Sequence, residues 1–144
     1  MKFRLGLLVL GAAMAFTAAA GTPVTRTELP SAALTFIDTH FAGDGIRKAE
    51  KDLSITGAEY EVDLASGVEL EFYSDGQWKE VKAGRGTTVP AAIVPAAIKT
   101  YVATHFADRD IVEIKRDRLG FEVELADDTD LFFKADGTYI GHTR

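Results

Sequence analysis

A chain of 144 residues with no cysteine has no disulfide framework and no cysteine for lipid attachment, so an ordinary apolar core must hold it together. Its formal net charge of −6 at pH 7 argues against nucleic acid and against an anionic membrane surface, which both call for a basic stripe.

Residues 1–20 read as a signal peptide. Lys2 and Arg4 give a positive start, Leu5 to Phe16 an apolar run, and Ala18-Ala19-Ala20 the small residues for a cut before Gly21. The run is shorter than the roughly 20 residues of a membrane-crossing helix, so no stable anchor is expected after the cut. The remaining 124 residues, 21–144, carry a net charge of −8, because the leader holds two basic and no acidic residues. That length suits a single domain, periplasmic or secreted.

Residues 21–28 are polar and read as a flexible lead-in. Pro30 fits the first turn of a helix, and Leu29, Ala33, Phe36, Ile37, His40 and Phe41 recur on one helical face. Gly43 and Gly45 stop that helix. Ile46 to Asp52 is mostly polar and reads as a weak edge strand. The period then becomes two: Tyr60, Val62 and Leu64 oppose Glu59, Glu61 and Asp63, while Val68, Leu70 and Phe72 oppose Glu69, Glu71 and Tyr73. A three-residue loop at Ala65-Ser66-Gly67 pairs Leu64 with Val68, Val62 with Leu70 and Tyr60 with Phe72, so every apolar side chain shares a face. Gly67 takes the left-handed position of that loop. Asp75-Gly76 reads as a two-residue turn pairing Tyr73 with Trp78. Gly84, Gly86 and Pro90 mark a bridge ending in the short apolar segment Val89 to Ile93.

The same pattern then recurs. Leu29-Pro30 through His40-Phe41 returns as Val94-Pro95 through His105-Phe106, shifted by 65 residues, with Ile98, Tyr101 and Val102 on the helical stripe. Ile111 to Ile114 reads as a strand. Tyr60 through Trp78 returns as Phe121 through Tyr139, shifted by 61, with Asp128 in place of Gly67 and Asp136-Gly137 as the second two-residue turn, pairing Lys134 with Tyr139. A duplication of this kind predicts an α+β fold: tandem α-β-β-β(-β) repeats at 28–82 and 89–142 forming one antiparallel sheet of about 7–8 strands, helices packed on one face.

The order of these segments resembles the PepSY-like, beta-lactamase-inhibitor-like family of exported bacterial proteins. The resemblance rests on Leu29-Pro30 and Val94-Pro95, on His40-Phe41 and His105-Phe106, on Tyr60-Glu61-Val62 and Phe121-Glu122-Val123, and on the hairpin Asp75 to Val81. It covers residues 28–142. It implies tandem repeats building one antiparallel sheet, and binding or inhibition of a protein through the open face of that sheet.

The sequence offers little chemistry. It holds no H-E-x-x-H, P-loop or G-x-G-x-x-G motif and no serine in a strand-to-helix elbow, so no catalytic residue and no cofactor is expected. His40 and His105 occupy equivalent places on the helical stripes; they read either as a two-histidine site or as helix-end residues bonded to a carbonyl. Asp127, Asp128 and Asp130 read either as oxygen ligands for calcium or as a solvated hairpin tip. The informative surface is the open face. Parity places Tyr73, Trp78, Glu71 and Glu80 there from the first copy, and Phe132, Lys134 and Tyr139 from the second, among further carboxylates. Aromatic anchors in an acidic surround point to an exported, non-catalytic module that binds a protein or peptide with a basic patch. The alternative is a periplasmic domain sensing a small ligand or calcium.

Overall fold

The computed structural model describes residues 21–55 and 57–144; the expected signal peptide lies outside them. The chain divides into two compact units, the first ending at Gly86 and the second starting at Thr87. The first holds β1 (Thr22–Pro23), a 3-10 turn at Arg26–Glu28, α1 (Ser31–His40), β2 (Ile46–Ser54), β3 (Gly57–Leu64), β4 (Glu69–Tyr73) and β5 (Trp78–Lys82). The second holds a 3-10 turn at Ala91–Ile93, α2 (Ala96–His105), β6 (Ile111–Arg116), β7 (Gly120–Leu125), β8 (Asp130–Lys134) and β9 (Tyr139–Thr143). Within each unit the strands pair antiparallel in chain order. The class is α+β, with nine strands among the described residues rather than seven or eight.

The added strand is β1, in the segment read as a flexible lead-in. Thr22 and Pro23 pair with Lys51 and Glu50, and Arg26 ties the following turn to α1 through Asp38 at 2.7 Å. The segment expected as a weak edge strand is the nine-residue β2, which lies between β1 and β3 rather than at the edge. Its polar side chains gave only a weak signal, because Ala49 alone among its residues is buried.

Each helix buries residues spaced by four. Leu29, Ala33 and Ile37 are buried in the first unit, and Val94, Ile98 and Val102 in the second. They close on the apolar strand faces: Val62, Leu64, Leu70, Phe72 and Val81 in one, Ile114, Val123, Leu125, Leu131 and Phe133 in the other, all fully buried. The Phe36 ring meets Phe72 edge-on at 5.6 Å, and Tyr101 meets Phe133 the same way at 5.7 Å. The two units thus bury equivalent positions rung by rung.

The loop at Ala65-Ser66-Gly67 has three residues, as parity required. Leu64 N–H bonds the Val68 carbonyl at 2.8 Å, Gly67 has φ of 95°, and Val62 pairs with Leu70 and Tyr60 with Phe72. Asp128, at φ 71°, does the same in the second copy.

The Asp-Gly turns differ from the sequence expectation. Tyr73 N–H bonds the Gln77 carbonyl at 2.9 Å, so the loop is Ser74-Asp75-Gly76, one residue longer than expected. Asp75 Oδ1 accepts from Gln77 N–H at 3.0 Å, and Gly76 turns left-handed at φ 84°. The extra residue shifts the register. Trp78 pairs with Phe72, Glu80 pairs with Glu71, and Lys79 bulges between them. The second copy repeats the bulge, with Phe133 opposite Tyr139 and Phe132 opposite Gly141. A shift of one residue sends a side chain to the other face, and the helix side receives Trp78 and Tyr139.

Gly76 also lies under the start of α1. A Cβ there would meet Ala32 Cβ, Ala33 N and Pro30 Cβ, each at 2.9 Å. Left-handed backbone and backbone crowding act together, so Gly76→Ala is expected to lose about 2–3 kcal/mol in denaturant titration. A loss below about 0.5 kcal/mol would contradict this packing.

Candidate functional site

The strand register of the first unit sets three rows of side chains on the face turned away from α1. They run Lys48, Asp63, Glu69, Lys82; then Glu50, Glu61, Glu71, Glu80; then Asp52, Glu59, Tyr73. The middle row places four glutamates directly opposite one another across β2, β3, β4 and β5. Like charges facing each other across a ladder destabilise a sheet by a few tenths to about 1 kcal/mol per pair. Burial lifts the Glu61 carboxyl above its ordinary range, and the charges of Glu71, Asp63 and Asp52 lift it further. Burial raises Asp52 too, helped by Glu50 and Glu59.

The bulge delivers the balancing cation. Lys79 Nζ lies 2.9 Å from Glu59 and 3.7 Å from Glu71, and 5.9 Å from the centre of the Tyr73 ring. Burial works against the charged ammonium, but the Glu59 hydrogen bond and the nearby glutamates outweigh it and hold the Lys79 pKa above its ordinary value. Around the rim, Arg47 pairs with Asp63 at 3.2 Å, Lys48 with Glu50 at 3.2 Å and Lys82 with Glu69 at 3.4 Å. Eight carboxylates against four cations leave the face acidic.

Of the residues expected on the open face, Tyr73, Glu71 and Glu80 are there in the first unit, and Lys134 is exposed in the second, opposite Gly120. Trp78 and Tyr139 are not. Trp78 packs 6.3 Å from Phe36 of α1, and Tyr139 stacks on Tyr101 of α2 at 4.2 Å, as the extra loop residue dictates. Tyr139 also shares a hydrogen bond with His142 Nδ1 at 2.6 Å. Phe132 keeps its place in the row but is only 5% exposed, with Glu122 and Asp130 also buried. Parity fixes the face a side chain takes, not how far its neighbours cover it. The sequence reading missed Lys79, Glu50, Asp52 and Lys48. The matching three-residue spacing of the other hairpins, Ala65-Ser66-Gly67 and Ala126-Asp127-Asp128, was the available signal for Lys79.

The histidines lie at helix ends. His40 is half-buried and tilts over Phe36 at 4.7 Å; His105 is exposed and stacks on Tyr101 at 4.2 Å, so neither belongs to the core stripe. Asp127 pairs with Arg109 at 3.2 Å and accepts from Thr129 N–H, and these contacts, those with Thr129 first, hold its carboxyl below the ordinary range. Asp128 forms the left-handed turn and Asp130 sits in a strand, so the three carboxylates have separate structural tasks. Among the described residues, no group of three or more His, Asp or Glu side chains is arranged to hold a metal ion, and no helix is long and apolar enough to cross a membrane.

The second unit shows what the fold itself requires. Its counterpart of the glutamate row reads Lys115, Glu122, Phe132, Gly141 on the same ladder. One copy carries four aligned glutamates and the other carries one, on matching backbones.

Comparison with known proteins agrees with this architecture. The family model for "Putative beta-lactamase-inhibitor-like, PepSY-like" proteins matches residues 15–70 and 58–140. A crystal structure from Bacteroides vulgatus, described as a "putative periplasmic protein" of the DUF2874 family, is 34% identical and superposes with a TM-score of 0.83, covering 88% of this chain and 99% of that one. A "putative calcium-regulated periplasmic protein" from Bacteroides thetaiotaomicron is 34% identical, with a TM-score of 0.81 over 85% of this chain and 96% of that one. A third, a "putative periplasmic protein of unknown function" from Bacteroides vulgatus, is 30% identical, with a TM-score of 0.80 over 85% and 99%. No curated protein matches the chain.

Proposed function

The chain belongs to the PepSY-like, beta-lactamase-inhibitor-like family and is periplasmic, and from that premise we propose that it is a non-catalytic binding module whose acidic sheet face docks a protein or peptide with a basic patch. The observation that carries this reading is the row Glu50, Glu61, Glu71, Glu80. It opposes folding, and the duplicated scaffold forms without it, since the second copy has Lys115, Phe132 and Gly141 at three of the four places. A costly feature that the fold does not need is one retained for a ligand. Complementary charge would give such a partner fast, salt-sensitive association, and Tyr73 beside Lys79 adds a flat apolar contact.

Calorimetric titration with a ten-residue oligoarginine peptide tests this. Binding is expected to weaken with salt and to fall about tenfold or more in Glu61→Gln/Glu71→Gln, but not in Asp108→Asn/Asp110→Asn, which removes the same charge elsewhere. Equal binding by both variants would overturn the proposal. The second reading, a calcium-sensing or small-ligand domain, draws on the relative described as calcium-regulated. A calcium titration of the same chain decides it: heat that disappears in Glu61→Gln/Glu71→Gln favours the cation.

A further inference from the structure

The register of β1 on β2 places Gly21 directly opposite Asp52, one step beyond the pair of Thr22 with Lys51. The approach is close. A Cβ added to Gly21 would collide with Asp52 Oδ1, lie 2.9 Å from Asp52 Cγ and lie 3.0 Å from Glu50 Cβ. The Gly21 nitrogen sits on the same carbon, so it is within about 5 Å of that carboxylate. Lys48, Glu50 and Lys51 flank Asp52 on β2, and Glu59 faces it from β3. Lys48 is engaged by Glu50, and among the described residues no salt bridge reaches Asp52. In this chain β1 has only two residues, yet it is what covers the outer edge of β2. An uncovered edge strand invites pairing with other chains.

We propose that signal-peptide removal before Gly21 creates the missing cation: the new α-ammonium of Gly21 pairs with Asp52, pins β1 over the β2 edge and completes the acidic face. Hydrolysis of the Ala20–Gly21 bond adds one water across it. Ala20 keeps a carboxylate, and Gly21 gains the charged amine that the intact peptide bond denies it. Maturation is thereby coupled to the stability of the covered sheet edge. The position of the cut matters, because one retained residue carries the charge a further 3–4 Å along the chain. Glycine suits this place because it has no Cβ, and any Cβ would displace the carboxylate. The sign of the pH dependence follows from the pair. An amine whose folded pKa is raised contributes stability that is fully present below its unfolded pKa of about 7.7–8.0 and is lost as pH rises through the folded value.

The test uses the chain exported from cells, with its first residue read by intact mass, and the Gly21 α-amino pKa followed by NMR on carbon-13 glycine. The exported chain is expected to begin at Gly21, with an α-amino pKa raised by about one unit. The value returns to the ordinary range in Asp52→Asn and in a chain retaining Ala20. The chain retaining Ala20 is expected to melt lower than the exported one at pH 6 and equally at pH 10. An ordinary α-amino pKa in the exported chain, a raised one that Asp52→Asn does not move, or a different first residue would each overturn the proposal. None of these readouts depends on a partner at the glutamate row, so the two proposals fail separately.

Discussion

Replacing Phe72 by Ala is expected to cost about 3–5 kcal/mol, the largest single loss in the molecule. Phe72 is fully buried, meets Phe36 edge-on at 5.6 Å and lies opposite Trp78 on the shifted register. Truncation removes the transfer free energy of the ring and leaves a cavity that helix and strand cannot both close. An edge-to-face pair adds about 0.5–1.5 kcal/mol beyond the area it buries. A domain with about 5–15 kcal/mol of stability keeps little after such a loss. Phe133→Ala should match it, since Tyr101 and Tyr139 both lie 5.7 Å from Phe133. Urea titration followed by fluorescence of the single tryptophan, Trp78, measures the first variant. A loss below about 1.5 kcal/mol would show that the Phe36–Phe72 contact is not the centre of the first core.

The second large effect is expected at Lys79, and its size depends on pH. Removing the ammonium in Lys79→Met leaves Glu59 and Glu71 without their shared cation, in a patch where Glu61 is already disfavoured as an anion. The pair is only partly covered, so its loss is set between an exposed and a buried salt bridge, about 1–2 kcal/mol near pH 7. A carboxyl with a raised folded pKa contributes stability below its unfolded pKa and loses it as pH rises through the folded value. Acidification from pH 7 toward the carboxylate range should therefore narrow the gap between Lys79→Met and the parent chain. Melting curves at pH 5 and pH 8 check this; a gap of the same size at both would contradict the coupling between Lys79 and the carboxylates.

Much of the scaffold was legible because burial leaves a period in the sequence. The stripes Leu29-Ala33-Ile37 and Val94-Ile98-Val102, and the alternation from Tyr60 to Phe72, follow from one face meeting a core, and the loop at Ala65-Ser66-Gly67 was forced by keeping that face apolar. The open face was less legible. Asp75-Gly76 satisfies both a two-residue turn and the last part of a three-residue one, and the choice rests on Asp75 accepting from Gln77 and on Gly76 fitting under α1, contacts that no periodicity encodes. That single residue moved Trp78 and Tyr139 to the helix side and brought Lys79 to the acidic face. β1 was missed, and β2 read only as a weak strand, for a different reason. Strands at or beside a sheet edge are held by backbone hydrogen bonds and carry polar side chains on both sides, so they leave little apolar pattern.

The two copies separate what folds the chain from what is carried upon it. The buried ladder is kept from one copy to the next, whereas Glu50, Glu71 and Glu80 become Lys115, Phe132 and Gly141, and Lys79 becomes Ile140. Aromatic contact is retained too, but on the helix side, where Phe36 meets Trp78 and Tyr101 meets Tyr139. The exposed side of the first unit thus carries a chemistry that the second unit lacks.

Backbone amide shifts of the nitrogen-15-labelled chain, recorded while the oligoarginine peptide is added, test the central claim most directly. The account predicts saturable changes at Glu50, Glu61, Glu71, Tyr73, Lys79 and Glu80, with Phe36, Tyr101 and Tyr139 unmoved. Changes centred on the α1 or α2 side, or spread evenly over the acidic surface without saturation, would contradict it.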